Sequence, residues 1–74
     1  MKLPLLSAQE VCKFLEKEGF QCIRQKGSHL FYRHPDGRTT VVPVHGGKDI
    51  KRGLLKGILD EIQMSREEFF KKYR

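Results

Sequence analysis

Two turn signals divide the middle of this 74-residue chain into three short segments, and no other feature restricts the fold as strongly. The first signal is Gly27-Ser28. The second is Pro35-Asp36-Gly37-Arg38, in which the proline presets φ and the glycine accepts a positive φ. Short segments between such signals are typical of strands. We predict a three-stranded antiparallel meander whose last two strands form a hairpin. Its strands are residues 20–26, 29–34 and 39–44.

Helix signals flank this meander on both sides. Ser7-Ala8-Gln9-Glu10 and Ser65-Arg66-Glu67-Glu68 are capping boxes, in which a serine and a glutamate cap each other's backbone N–H groups. The first opens a helix over residues 7–18 that Gly19 ends, and the second opens a short terminal helix. Between the meander and the second box, apolar residues recur at helical spacing and predict the main core helix, in which Gly53 lies either in the interior or in the first turn. Those residues are Ile50, Leu54, Leu55, Ile58, Leu59 and Ile62.

The predicted architecture is therefore α+β, with a helix, a three-stranded antiparallel sheet, a helix and a short C-terminal helix. A chain of this length supports one core, so we expect one domain over residues 1–74. No segment approaches the roughly 18 apolar residues of a membrane span, and the apolar start is too short for a secretory signal. We expect a cytoplasmic protein with no membrane partner.

The charge of the chain is basic and unevenly distributed. Apolar residues make up 38% of the sequence, which is enough for a core, and the formal net charge is +6. Residues 20–53 hold seven Lys or Arg against two Asp, together with all three histidines. A polyanion is the expected partner. Nucleic acid comes ahead of a membrane surface because no basic amphipathic helix dominates.

Metal and thiol chemistry have little support in the sequence. Cys12 and Cys22 lie ten positions apart with no CxxC, so we expect two reduced thiols that pack as small apolar groups. His29, His34 and His45 form no HxxxH pair, so we expect no metal and no cofactor. No pair of carboxylates stands out, which leaves glycosidase-type chemistry without a basis.

The strongest catalytic candidate is the turn Lys26-Gly27-Ser28-His29, which leads into the second strand. An imidazole with the ordinary pKa of about 6.5 can both accept and donate a proton near neutrality. In RNA the 2′-hydroxyl can attack its own phosphate. A protein then has to remove that proton, stabilise the phosphorane and protonate the leaving 5′-oxygen. A lone histidine at a strand start is also commonly structural or merely exposed, so the residues alone leave both interpretations open.

The other two histidines have more ordinary interpretations. His34 directly precedes Pro35, and we expect its ring to cap the hairpin turn. His45 ends the third strand and opens the Gly46-Gly47 loop. There it can hydrogen-bond the backbone or reach a phosphate, and the sequence leaves both open.

Cations and aromatics supply the remaining candidates. Lys48, Lys51 and Arg52 flank the start of the core helix, where the dipole disfavours cations, so we interpret them as phosphate contacts. Phe31 and Tyr32 can stack on bases, but we expect core packing for both. Apolar residues occupy both alternating sets of positions in the second strand, so the alternation of polar and apolar residues does not show which face is buried.

Six short segments of the chain occur in a specific order and spacing. They are Gly19-Phe20, Lys26-Gly27-Ser28-His29, His34-Pro35-Asp36-Gly37-Arg38, Val41-Val42-Pro43-Val44-His45, Gly53-Leu54 and Ser65-Arg66-Glu67-Glu68-Phe69. In this order the sequence resembles the HicA-type mRNA interferase toxins of type II toxin–antitoxin systems over nearly its whole length. One departure is Arg52, since many members carry a proline before the glycine that opens the second helix.

The resemblance implies a double-stranded-RNA-binding-domain-like fold and an endoribonuclease that cuts messenger RNA and so inhibits translation. It also implies that His29 is the catalytic residue, that no metal is needed, and that a HicB-type antitoxin covers the catalytic surface. We expect Lys26 and Ser28 to position or neutralise the phosphate. The cations expected to hold the RNA backbone are Lys48, Lys51 and Arg52.

Two other classes of function stay open at this stage. The same fold can serve as a non-catalytic RNA-binding module, which recognises duplex RNA by shape and phosphate contacts. A basic domain can also be a pure interaction protein that binds only an acidic protein partner. Replacement of His29 by alanine distinguishes the first alternative, and RNA affinity at moderate salt distinguishes the second.

Overall fold

The computed structural model describes residues 2–73, so the two ends of the predicted domain, Met1 and Arg74, lie outside the described residues. The element order confirms the α+β class and the double-stranded-RNA-binding-domain-like architecture, with a short C-terminal helix. The elements are β1 Leu6–Ser7, α1 Ala8–Lys17, β2 Gln21–Lys26, β3 His29–Arg33, β4 Thr39–Pro43, β5 Asp49–Ile50, α2 Arg52–Glu61 and α3 Arg66–Lys72.

Helix α1 begins and ends as its sequence predicts. The Ser7 side chain accepts from the Glu10 N–H at 3.1 Å, and the Glu10 carboxylate accepts from the Ser7 N–H at 2.9 Å. At the other end, Phe20 N–H donates to the Leu15 carbonyl and Gly19 N–H donates to the Glu16 carbonyl, which is the Schellman pattern. Gly19 has a φ of 96°, a conformation that favours glycine.

The second half of the chain departs from prediction at one point. The Ser65 capping box forms and opens α3, which confirms that prediction, and of the two alternatives for Gly53 the structure has the first turn of α2. Ile50, however, is not helical. It pairs with Leu6 in a small two-stranded sheet of β1 and β5, where both side chains are buried. A spacing of four residues to Leu54 fits a helix stripe by coincidence, and Leu54 itself is 41% exposed.

The main sheet has the strand order β2-β3-β4 with antiparallel pairing throughout, which confirms the meander and its hairpin. The two-residue turn Gly27-Ser28 joins β2 to β3. Its first residue has a φ of 58°, the sign that a type II′ turn needs there. A β-bulge at Ile23 shifts the register between Cys22 and Arg24.

One face of the sheet packs against the helices. Tyr32, Thr40 and Val42 project from this face and are almost fully buried. The Tyr32 hydroxyl donates to Glu16 of α1 at 3.3 Å, and the Thr40 hydroxyl donates to Glu61 of α2 at 2.7 Å. These bonds satisfy the polar groups that burial would otherwise leave unpaired.

The hydrophobic core lies between this inner face and the helices. Helix α3 joins it through Phe69, whose ring meets the Phe14 ring edge-on at a centroid distance of 5.2 Å. The largest fully buried side chains are Phe20, Phe69, Leu15, Leu55, Ile58, Leu59, Ile62, Val11 and Val42. Because α1 and α2 pack on one side of the sheet, the opposite side is left without a covering element.

Candidate nucleic-acid interface

The uncovered side of the sheet carries basic residues and no acidic ones. Directly opposed residues project from the same face, so the strand registers assign its side chains in three cross-strand rows. The rows are Gln21, Arg33, Thr39; Arg24, Phe31, Val41; and Lys26, His29, Pro43. We call these nine residues the open face. None of the residues of β2, β3 and β4 is Asp or Glu, so the open face attracts anions along its length.

His29 lies at one end of the open face, as the first residue of β3. Its side chain is exposed, and within residues 2–73 it makes no hydrogen bond, ion pair or ring contact. Lys26 lies directly opposite on β2. The fold therefore makes no use of the His29 imidazole, which leaves the ring available to a ligand beside a cation.

Backbone bonds hold the turn that presents this pair. The Val44 N–H donates to the Ser28 carbonyl at 2.6 Å, so the turn is tied to the end of β4. The Gln25 side chain adds a bond to the main chain of the turn, because its Nε2 donates to the Gly27 carbonyl at 3.3 Å. The Ser28 hydroxyl has no partner among the described residues and is exposed. The turn is thus fixed by its main chain while the side chains that the sequence singled out face solvent.

A groove of about 430 Å³ lies between the end of β4 and the start of α2, and Pro43 belongs both to it and to the open face. The Lys51 residue is the N-cap of α2, yet no side chain caps that end and the first turn holds no acidic residue. Uncapped N–H groups and the positive end of the helix dipole add to the attraction for an anion. The residues that line the groove are Pro43, His45, Lys48, Asp49, Ile50, Lys51 and Leu54.

The His45 ring is exposed and has no hydrogen-bond partner in the described part of the chain. The sequence leaves two alternatives for His45, a hydrogen bond to the backbone or contact with a phosphate. The ring makes no hydrogen bond to the backbone among the described residues. Only its main-chain carbonyl is engaged, by the Lys48 N–H at 2.8 Å. The imidazole is therefore a second free ring, in the groove rather than on the open face.

Arg52 does not line this groove with Lys48 and Lys51. It is the first residue of α2, and its Nε donates to the Leu3 carbonyl at 2.6 Å, which holds the N-terminal segment against the helix. Its side chain lines a separate groove of about 240 Å³. The structure thus brings Lys26, Ser28 and His29 together at one turn and separates Arg52 from the other two cations.

His34 has the structural role that the sequence predicts. Its Nδ1 accepts from the Asp36 N–H at 3.1 Å, and its ring meets the Phe20 ring edge-on at 5.0 Å between centroids. The Asp36 carboxylate lies 3.1 Å from the same nitrogen. A Cβ at Gly19 would lie 3.0 Å from His34 Nε2, so the glycine also leaves room for this ring.

The two aromatic residues of β3 lie on opposite faces of the sheet. Tyr32 is 2% exposed, as the core prediction requires, and burial raises the pKa of its hydroxyl far above the ordinary value. The core prediction is wrong for Phe31, which projects from the open face and does not join the core cluster. The Arg24 guanidinium lies 5.2 Å from the Phe31 ring centroid. The sequence pattern could not distinguish the buried Tyr32 from Phe31, because both alternating sets of positions in β3 hold apolar residues.

The cysteine prediction also divides. Cys12 is partly buried against the core, and burial raises the pKa of its thiol. Cys22 is exposed, so its predicted packing role is wrong. Both are free thiols. Among residues 2–73, no three His, Cys, Asp or Glu side chains cluster as metal ligands would, and no helix has the length and apolarity to cross a membrane.

The family model described as the HicA toxin of bacterial toxin-antitoxin matches residues 8–64 of the chain. The chain belongs to the HicA toxin family. The matched region of this HicA toxin runs from the start of α1 through the sheet and α2, so it contains the open face, the His29 turn and the groove. Members of this family are the toxins of toxin–antitoxin systems, whose partner is an antitoxin. No curated protein matches the sequence closely enough to add to this comparison.

Proposed function

We propose that this HicA toxin is an mRNA interferase, an endoribonuclease that cuts messenger RNA without a metal ion or other cofactor and so inhibits translation. The observation that carries the proposal is the His29 imidazole. It is exposed, unused by the fold, and paired across the strands with Lys26 on a face without carboxylates. An imidazole and a neighbouring cation can supply two functions that metal-free RNA cleavage needs, which are proton transfer and stabilisation of the charge on the phosphorane.

In the proposed reaction the RNA supplies its own nucleophile. His29 removes the proton of the 2′-hydroxyl as the general base or donates a proton to the leaving oxygen as the general acid, and solvent water supplies or takes up the other proton. The 2′-oxygen attacks the adjacent phosphorus, and the bond from phosphorus to the 5′-oxygen breaks as that oxygen gains a proton. The products are a 2′,3′-cyclic phosphate and a 5′-hydroxyl. Proton transfer of this kind contributes about 10²- to 10⁴-fold to the rate.

The cations around His29 fit the charge that this reaction develops. Lys26 and the Ser28 hydroxyl lie at the same turn and serve to position or neutralise the scissile phosphate. Lys48 and Lys51, in the groove that shares Pro43 with the open face, serve to hold the RNA backbone beyond it. Arg52 stays a predicted backbone contact from the other side of the start of α2, since its Nη groups can donate while Nε holds Leu3.

We propose that the toxin is controlled in the cytoplasm through the same surface. A HicB-type antitoxin that covers the open face denies RNA access to His29. Charge complementarity favours an acidic contact segment on that partner, because the open face contains three cations and no carboxylate.

The test is to incubate the protein and its His29→Ala variant with end-labelled single-stranded RNA in EDTA and to analyse the fragment ends. The protein should yield 2′,3′-cyclic phosphate ends, and the variant should yield none. Both should unfold at nearly the same temperature, because the exposed His29 ring makes no hydrogen bond, ion pair or ring contact in the described residues. Intact RNA binding with no cleavage by either protein would instead support the non-catalytic RNA-binding module.

A further inference from the structure

The open face holds one aromatic side chain, and its position relative to His29 is informative. Phe31 lies two residues after His29 on the same strand, so both project from the same face about 7 Å apart. That separation is close to the length of one nucleotide in an extended strand. A group that contacts Phe31 is therefore one step along a chain from a group that contacts His29.

The placement of Phe31 is unusual for a phenylalanine. The ring is only half-buried and lies outside the core cluster, in the central strand of a face whose other apolar members are Val41 and Pro43. The Arg24 guanidinium lies 5.2 Å from its centroid and makes no hydrogen bond or ion pair in the described residues. Phenyl rings and guanidinium planes are the two surfaces on which unpaired RNA bases stack.

We infer that Phe31 and Arg24 form a stacking platform for an unpaired base next to the scissile phosphate, so that these two side chains discriminate against paired RNA. The inference rests on the proposed function for the identity of the ligand as RNA. The rows on either side of Phe31 contain the cations Arg33 and Lys26. In this arrangement they contact the phosphates of the RNA strand whose base stacks on Phe31. In a duplex both faces of a base are covered by its neighbours, so paired RNA cannot use the platform.

The absence of tryptophan from the sequence provides a direct probe. A Phe31→Trp substitution in a His29→Ala background places one fluorophore on the open face and leaves the RNA uncut. A Phe70→Trp substitution in the same background is the matched control, because Phe70 is a half-buried aromatic of α3, on the helical side of the molecule. Single-stranded RNA should quench the tryptophan fluorescence of the Phe31→Trp variant and leave that of the Phe70→Trp variant unchanged. The same RNA annealed to its complement should quench neither.

Kinetics supply a second measurement, with Phe31→Leu as the variant that keeps apolar bulk and removes the ring. Stacking of one base corresponds to roughly 5- to 150-fold in affinity. We expect the KM for single-stranded RNA to rise by a factor in that range while kcat is unchanged, since the ring binds ground and transition states alike. A thermal melt checks that the variant is folded.

The outcomes separate this inference from the proposed function. Cleavage by the unaltered protein together with an unquenched Phe31→Trp emission, or a KM within twofold after Phe31→Leu, would overturn the platform and leave the ribonuclease intact. Quenching without any cleavage by the unaltered protein would retain the platform and overturn the ribonuclease. Quenching by an acidic antitoxin peptide but not by RNA would identify the open face as a protein-docking surface and refute the inference.

Discussion

Replacement of Arg38 by alanine should be among the most destabilising changes at the surface of this protein. The Arg38 guanidinium donates from Nη1 to the Ile62 carbonyl at 2.5 Å and from Nε to the Asp36 carboxylate at 2.8 Å. It also lies 5.1 Å from the centroid of the buried Phe20 ring. One side chain thus fastens the β3–β4 turn to the end of α2 and covers part of the core.

The expected cost follows from those three contacts. A hydrogen bond from a charged donor to a partly buried carbonyl contributes about 1.5–3 kcal/mol. The exposed ion pair with Asp36 adds little because solvent screens it, and the cation–π contact adds about 0.5–1 kcal/mol. Because neighbouring terms are not additive, we expect Arg38→Ala to lower the free energy of unfolding by about 2–4 kcal/mol. In a domain of this size that loss lowers Tm by about 10–25 °C.

Arg24→Ala is the matched control for this measurement. Arg24 also lies over a phenylalanine ring, at 5.2 Å, but its guanidinium has no hydrogen-bond partner among residues 2–73. Its loss should cost about 0.5–1 kcal/mol. Thermal and urea unfolding of the two variants compare the values directly. Equal destabilisation by the two substitutions would refute the argument that the Ile62 and Asp36 bonds make Arg38 different.

Three further predictions concern stability and reactivity. Gln63 has a φ of 57° at the end of α2, so Gln63→Gly should raise the free energy of unfolding by about 1 kcal/mol, and a lower Tm would contradict this. The N–H of Arg38, followed by its guanidinium, holds the pKa of the Asp36 carboxyl below the ordinary value. Its stabilisation is therefore complete above about pH 4 and is lost as the pH falls through the lowered pKa, so Asp36→Asn should unfold with a shallower pH dependence below about pH 4. Burial raises the pKa of the Cys12 thiol, so iodoacetamide at mild alkaline pH should alkylate the exposed Cys22 first, as peptide mapping by mass spectrometry would show.

Local signals were sufficient for most of the fold. The Ser7 and Ser65 boxes, the Gly19 stop and the turns at Gly27 and Gly37 each act within a few residues, so the sequence places them correctly. The pairing of β1 with β5 was not predictable in this way. It joins Leu6 to Ile50 across more than forty residues, and two-residue strands carry no periodicity.

The candidate site could be predicted only in part, because some of its features depend on contacts between residues that are distant in sequence. The Lys26 to His29 turn is contiguous in sequence, so its chemistry could be recognised before its structure. The exposure of Phe31 depends on which face of the sheet the helices cover, which is a tertiary property. The contact between Arg52 and the Leu3 carbonyl likewise joins residues that are distant in sequence.

Proton transfer by the His29 imidazole is the step on which the proposed cleavage of RNA depends. Chemical rescue tests it most directly, by measuring the cleavage rate of the His29→Ala variant as free imidazole is added, against imidazole with RNA alone. We predict that the variant is inactive in buffer and that added imidazole restores cleavage at the sites cut by the unaltered protein. Cleavage by His29→Ala at the original rate without imidazole would contradict the claim.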